Sequence, residues 1–183
     1  WLERYTFPAE ERFISPEVSA ETARYFLNEM LSHGVTTASV YGSVHQTSCE
    51  ALFSEAEYLG MRLLAGKTLM NRNAPEALIQ HDRQGRDLEA TQSLIERWHG
   101  RKRLSYSLTP RFAPTSTDEQ MRWVGEMFQV SLAGGVSSGP LFLQSHLAEN
   151  LDECRWVASL YPDSRSYCQV YETFQQLGPG AIY

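Results

Sequence analysis

Gly34-Val35-Thr36-Thr37-Ala38-Ser39-Val40-Tyr41 is the stretch on which the fold turns. A glycine closing an apolar-periodic segment reads as a helix stop, because glycine takes the left-handed backbone without a Cβ penalty. The residues after it, Val35 to Tyr41, are rich in β-branched side chains and read as a strand. Upstream, Ser15-Pro16-Glu17 supplies a hydroxyl N-cap and a proline in the first helical turn. The helix between carries Tyr25, Phe26, Met30 and Leu31 on one side. The unit is therefore helix, glycine stop, strand.

The same alternation continues outward. Ser48 is a candidate cap for a helix running to about Leu59 and ended by Gly60, and Arg62 to Leu69 reads as the next strand. A polar stretch follows, Asn71 to Arg86, with Asn71-Arg72-Asn73, Pro75 and Gly85. Long strand-to-helix loops of that kind tend to carry function or to move. Leu88, Leu94, Ile95 and Trp98 mark an amphipathic helix, and Leu104 to Leu108 a third strand. Ser116-Thr117-Asp118-Glu119 fits a capping box before Met121, Trp123, Val124 and Phe128. Leu141 to Ser145 is the fourth strand, Asn150 with Glu153 caps a further helix, and Tyr167 to Leu177 forms the last. Gly178-Pro179-Gly180 breaks it, and Ala181-Ile182-Tyr183 opens a fifth strand.

Strands beginning near residues 35, 62, 104, 141 and 181, with helices between, imply parallel βαβ units in an α/β fold. No GxGxxG follows the first strand and no GxxxxGK[ST] occurs, so both common nucleotide cradles are absent. A closed barrel is the favoured form, yet a (β/α)8 barrel takes roughly 250 residues. The expectation for residues 1–183 is a single domain that is part of a TIM-type barrel.

Composition narrows the function. Lys plus Arg number 16 against 22 Asp plus Glu, a net charge of −6 that disfavours nucleic-acid and anionic-membrane surfaces. Arg101-Lys102-Arg103 reads as a solvated loop. No run approaches the roughly 18 apolar residues of a membrane span. Cys49, Cys154 and Cys168 lack CxxC spacing and read as small hydrophobes in a reducing, cytoplasmic setting. Opening on Trp1-Leu2-Glu3, without an initiator Met, the chain reads as a fragment or a processed product.

In a βα barrel, residues at the C-terminal ends of the strands face the active site. That rule selects His45, Arg111-Phe112 and His146, with Glu149 three residues beyond His146. A strand-end imidazole can bind zinc, and a nearby carboxylate outside the coordination sphere can move protons. A histidine beside a carboxylate is also a common hydrogen-bonded pair with no such role. Arg111 offers a planar fork of donors for a carbonyl or anion, or equally a surface salt bridge. His45 reads as a group that satisfies a nearby carbonyl.

At Gln144-Ser145-His146-Leu147-Ala148-Glu149-Asn150 the chain resembles the metal-ligand strand of guanine deaminases of the amidohydrolase superfamily. Thr109-Pro110-Arg111-Phe112 resembles the family's substrate-recognition segment. Trp1-Leu2, Tyr5-Thr6-Phe7-Pro8-Ala9-Glu10, Gly34-Val35-Thr36-Thr37-Ala38, Gly66-Lys67 and Tyr161-Pro162 also match, in order along the chain. The resemblance implies a distorted (β/α)8 barrel, here about strands 2 to 5 with their helices and the start of strand 6. It implies His146 as one zinc ligand and Glu149 as the catalytic proton carrier in converting guanine to xanthine and ammonia. Arg111 would bind the guanine carbonyl edge, with Phe112 against the base. A homo-oligomer is the family's expected assembly.

The family's His-x-His pair and a substrate-binding glutamine precede the position of Trp1, a further histidine follows Tyr183, and a zinc-binding aspartate comes later still. His81 and His99 sit at no predicted strand end. One histidine does not hold a catalytic zinc, which takes about three protein ligands. The isolated chain is therefore expected to be inactive. The alternative is a non-catalytic α/β module that folds by self-association, its exposed sheet edges pairing between copies. A third reading is a related zinc deaminase for another amino-heterocycle.

Overall fold

The computed structural model describes residues 1–79 and 86–183. Strands β1 (Thr37–Tyr41), β2 (Arg62–Gly66), β3 (Thr68–Leu69), β4 (Leu104–Pro110), β5 (Phe142–Gln144) and β6 (Ala181–Ile182) alternate with helices. The helices are α1 (Phe7–Glu11), α2 (Pro16–Ser32), α3 (Gln46–Leu59), α4 (Glu76–Ile79), α5 (Arg86–Trp98), α6 (Asp118–Val130), α7 (Leu151–Leu160) and α8 (Tyr167–Thr173). The sheet order is β1-β2-β4-β5-β6, with β3 beside β4 and every described pairing parallel. Sequential neighbours joined by helices are the wiring of a βα barrel.

The convex face of this sheet is apolar. Leu63 and Ala65 of β2, Leu104, Tyr106 and Leu108 of β4 and Leu143 of β5 pack with Leu27, Phe53, Leu94, Val124 and Phe128 from the helices. Burying such side chains stabilises by about 1.5–3 kcal/mol each, which pins the alternation of each strand. The concave face is small and polar. Ser39 on β1 donates to Gln144 Oε1 on β5 at 2.6 Å, and Gln144 Nε2 donates to Thr109 Oγ1 on β4 at 3.1 Å. Because β2 and β4 lie between β1 and β5 in the sheet, that contact closes across the hollow of a strongly curled sheet. The fold is a partial (β/α)8-type barrel.

Local signals are mostly where the sequence puts them. Ser15 Oγ accepts from Val18 N, and α2 ends with Gly34 at φ +79° while Val35 N–H returns to Met30 O. That return bond is the reason the first strand begins at Thr37 rather than Val35. Two caps shift register. Ser48 lies inside α3, whose N-cap is His45, and its hydroxyl accepts from Ser43 N instead. Helix α6 is capped by Thr117, one residue later than Ser116, because Asn71 takes the Thr117 amide at 2.7 Å. The second strand is split at Lys67, whose ammonium is buried against Asp87 at the start of α5. Gly66 is required there, since a Cβ would meet Ser107 O at 1.8 Å. The last helix stops at Thr173, short of Leu177, with Gln175 at φ +58°.

Among the cysteines Cys49 fills the core, its thiol pushed up to about 12 by burial. Cys154 is half-buried and Cys168 is exposed, so the small-hydrophobe reading fails for Cys168. Arg101 and Lys102 are exposed and pair with Glu57, as a solvated loop allows. His81 and Gly85 lie outside the described residues. No described helix is long and apolar enough to cross a membrane.

Candidate active site

The C-terminal ends of β1, β4 and β5 converge. Strand β4 carries Arg111 just past Pro110, and β5 delivers His146 just past Ser145. They meet at one acceptor: Arg111 O takes both the His146 amide at 2.9 Å and His146 Nδ1–H at 2.9 Å. A carbonyl only accepts, so Nδ1 carries the proton and neutral His146 keeps its lone pair on Nε2. That nitrogen lies 3.9 Å from Glu149 Oε1, and the His146 side chain is 35% exposed. The imidazole is thus held by one edge and open at the other. The Tyr41 ring packs on it at 4.7 Å from β1.

Glu149 returns toward His146 because Ala148 adopts a left-handed backbone, φ +57°. Its amide donates to Glu153 Oε2 at 3.1 Å, while Asn150 Oδ1 accepts from Glu153 N at 2.9 Å to cap α7. The Asn150–Glu153 cap read from the sequence is therefore also what anchors the Glu149 turn.

The Arg111 guanidinium lies 5.4 Å from the Phe7 ring centroid and 5.8 Å from that of Phe112. Its Nη1 is 3.5 Å from Met70 Sδ. Phe112 meets Trp156 edge-on at 6.1 Å. Nearby, burial pushes the Glu10 carboxyl above the usual carboxylate range, and the Arg111 charge pulls it partly back. A cation between two aromatic faces, fringed by a half-buried carboxyl, suits a flat polar ring more than a surface ion pair. Beyond Phe112 the loop is clamped by the polar stretch noted in the sequence. Arg72 donates to Ala113 O at 3.0 Å and to Tyr161 Oη at 2.6 Å, and Asn73 donates to Pro114 O at 2.8 Å.

Four sequence-selected residues, Arg111, Phe112, His146 and Glu149, thus meet at one end of the sheet. His45 is buried at the start of α3, its amide on Ser43 Oγ. His99 sits apart, beyond α5. Sequence reasoning gave no role to Phe7, Glu10, Tyr41 or Tyr171. Phe7 and Glu10 lie in the segment Tyr5 to Glu10 that resembles guanine deaminases, but nothing local says that a helical N-terminal segment folds under Arg111.

A four-coordinate catalytic zinc takes about three protein ligands and a water. Among the described residues no group of three or more His, Cys, Asp or Glu side chains converges. His146 offers one free nitrogen, so these residues by themselves do not fit a zinc centre.

Residues 1–173 match the Amidohydrolase family. The chain belongs to that family. This amidohydrolase is 40% identical over 183 residues to the guanine deaminase of Escherichia coli and 34% identical over 184 residues to that of Dictyostelium discoideum. Each alignment covers 100% of the chain but only 40% and 39% of those relatives, respectively. The structure of the E. coli enzyme superposes with a TM-score of 0.89, covering 100% of this chain and 40% of that one. A guanine deaminase of C. acetobutylicum with bound guanine in the active site gives 0.87 at 29% identity, covering 100% and 41%. The amidohydrolase chain therefore spans about 40% of the length of the relatives it matches.

Proposed function

We propose that this chain is part of a guanine deaminase and carries the strand ends that recognise the purine and move the protons. Hydrolytic deamination adds water to guanine and releases xanthine and ammonia. Glu149 takes the proton that the attacking water gives up and delivers it to the purine ring, and the second proton, from the new hydroxyl, leaves with the amine as ammonia. Arg111 binds the carbonyl edge of guanine and Phe112 packs on the base. His146, its tautomer set by Arg111 O, contributes one of several zinc ligands, the rest coming from outside these residues. Zinc when bound supplies an activated water. The reading places the enzyme in the cytoplasm as a homo-oligomer acting in purine catabolism, with no nucleic-acid partner.

The carrying observation is the shared acceptor: the oxygen that fixes His146 belongs to Arg111 itself. Catalytic and recognition residues are thereby locked together in a chain that matches guanine deaminases along its whole length. The test is guanine turnover by the 183-residue protein with added zinc, beside metal content by mass spectrometry. No xanthine and substoichiometric zinc are expected. Full zinc loading with xanthine release would show that these residues complete the centre unaided. In the full polypeptide bearing this segment, Arg111→Ala should cut kcat/KM for guanine about a hundredfold. An unchanged value would point to another amino-heterocycle as substrate.

A further inference from the structure

We propose that Tyr171 is a positioning residue for this reaction, fixing the strand end that carries His146 to the loop behind Arg111 and Phe112. The proposal rests on the functional reading just given. Tyr171 lies in α8, on the helix side of the barrel, and is fully buried. Its phenol hydroxyl donates to His146 O at 2.7 Å and accepts from Ala113 N at 3.2 Å. It is also 2.9 Å from Ser145 Oγ. One oxygen thus joins the His146 carbonyl just past β5 to the Ala113 amide in the turn after β4, with the Ser145 hydroxyl as its third partner.

The neighbourhood holds that oxygen still. Tyr167 stacks on the ring at 5.6 Å, Tyr183 from the end of β6 lies 4.8 Å away, and Ala113, Met121, Val157 and Val170 close the cluster. On the open side, His146 and Arg111 are joined through Arg111 O. On the closed side His146 is joined through Tyr171 to Ala113, two residues beyond Arg111. The two links meet at Ser145, whose Oγ is 3.3 Å from Arg111 O and 2.9 Å from Tyr171 Oη. Cutting the second leaves the buried Ala113 amide without an acceptor and lets the strand ends slide. A slide there changes the spacing between the purine clamp and Glu149 while removing none of the site side chains.

Tyr171→Phe keeps the ring and removes the oxygen. In the 183-residue chain, amide hydrogen exchange of Ala113 and His146 should both rise at least about tenfold, with Leu64 and Ala65 in β2 unchanged. Acceleration at Ala113 alone would overturn the coupling. Equal acceleration in β2 would reduce Tyr171 to general stability and overturn it too. In the full polypeptide, Tyr171→Phe should lower kcat/KM for guanine about tenfold, carried mainly by kcat. Val157→Ala, a cavity in the same cluster, should stay within about twofold at a temperature where both are folded. Equal losses in the two variants would overturn the proposal. If the wild type does not deaminate guanine, the functional reading fails, and the exchange comparison still decides the coupling. Should Tyr171→Phe not fold, exchange in the wild-type chain decides it: Ala113 and His146 opening with one common free energy under rising urea supports the coupling, and independent opening overturns it.

Discussion

His99 and His146 sit at opposite ends of the sheet and use their rings in opposite ways. His99 follows α5 on the N-terminal side. Its Nδ1 accepts the Tyr106 amide at 3.0 Å, so the proton is on Nε2, which meets Gly139 O at 3.1 Å. Both nitrogens are spent and the residue is buried. His146 has the reverse tautomer, with Nδ1–H on Arg111 O and Nε2 directed at an exposed carboxylate. One histidine is consumed in holding the fold and the other is half-available for chemistry. In a βα barrel that is the division expected between the N-terminal and C-terminal faces. What separates them is the partner of Nδ1: an N–H at one end, a carbonyl at the other.

The largest effect should come from His99→Ala, which orphans the Tyr106 amide and the Gly139 carbonyl and opens a cavity. It should cost about 3 kcal/mol in urea unfolding. A cost under about 1 kcal/mol would break the contrast, by making His99 as dispensable as a surface group.

The second effect is in pH. Burial holds the His99 pKa below its ordinary value, and the Tyr106 amide needs the Nδ1 lone pair. The unfolded chain therefore takes up a proton before the folded one does. His99's contribution is full above the unfolded value of about 6.5 and is lost as the pH falls below it. Urea midpoints should drop between about pH 7.5 and pH 5, and less steeply in His99→Ala. Equal slopes in the two proteins would remove His99 as the cause.

His146→Ala should be milder, about 1 kcal/mol, or roughly 2–4 °C in Tm by calorimetry. A cost as large as that of His99→Ala would make both histidines structural. The smallest change is expected from Ala148→Gly. It relieves a left-handed alanine at the Glu149 turn, and the added freedom of the unfolded chain offsets part of the gain. A net stabilisation of about 0.5 kcal/mol should appear as a slightly higher Tm. A loss instead would mean the turn draws on the methyl group.

Much of this was legible in the residues because the signals are local. Gly34 and Gly60 mark helix ends through backbone sterics alone, and the parallel alternation follows from strands separated by helices. Ser15 and Asn150 cap as their short side chains allow. The errors also have local form but distant causes. Thr117 displaced Ser116 as cap because Asn71, far away in the chain, took the Thr117 amide. Lys67 splits the second strand because its amide leaves the ladder for the Tyr106 hydroxyl, while its ammonium is buried against Asp87. Phe7 beneath Arg111 has no local signal at all, since nothing near Phe7 specifies the end of β4 as its neighbour.

By itself the sequence determined the strand–helix order, the family resemblance, and the placing of Arg111, Phe112, His146 and Glu149 at or beside strand ends. Those properties follow from spacing and side-chain type along one segment. Only the tertiary structure decided which nitrogen of His146 is free, that Arg111 supplies the oxygen deciding it, and that Tyr171 fastens His146 to the loop beyond Arg111. A tautomer is chosen by its partner, and each partner here comes from another strand or helix.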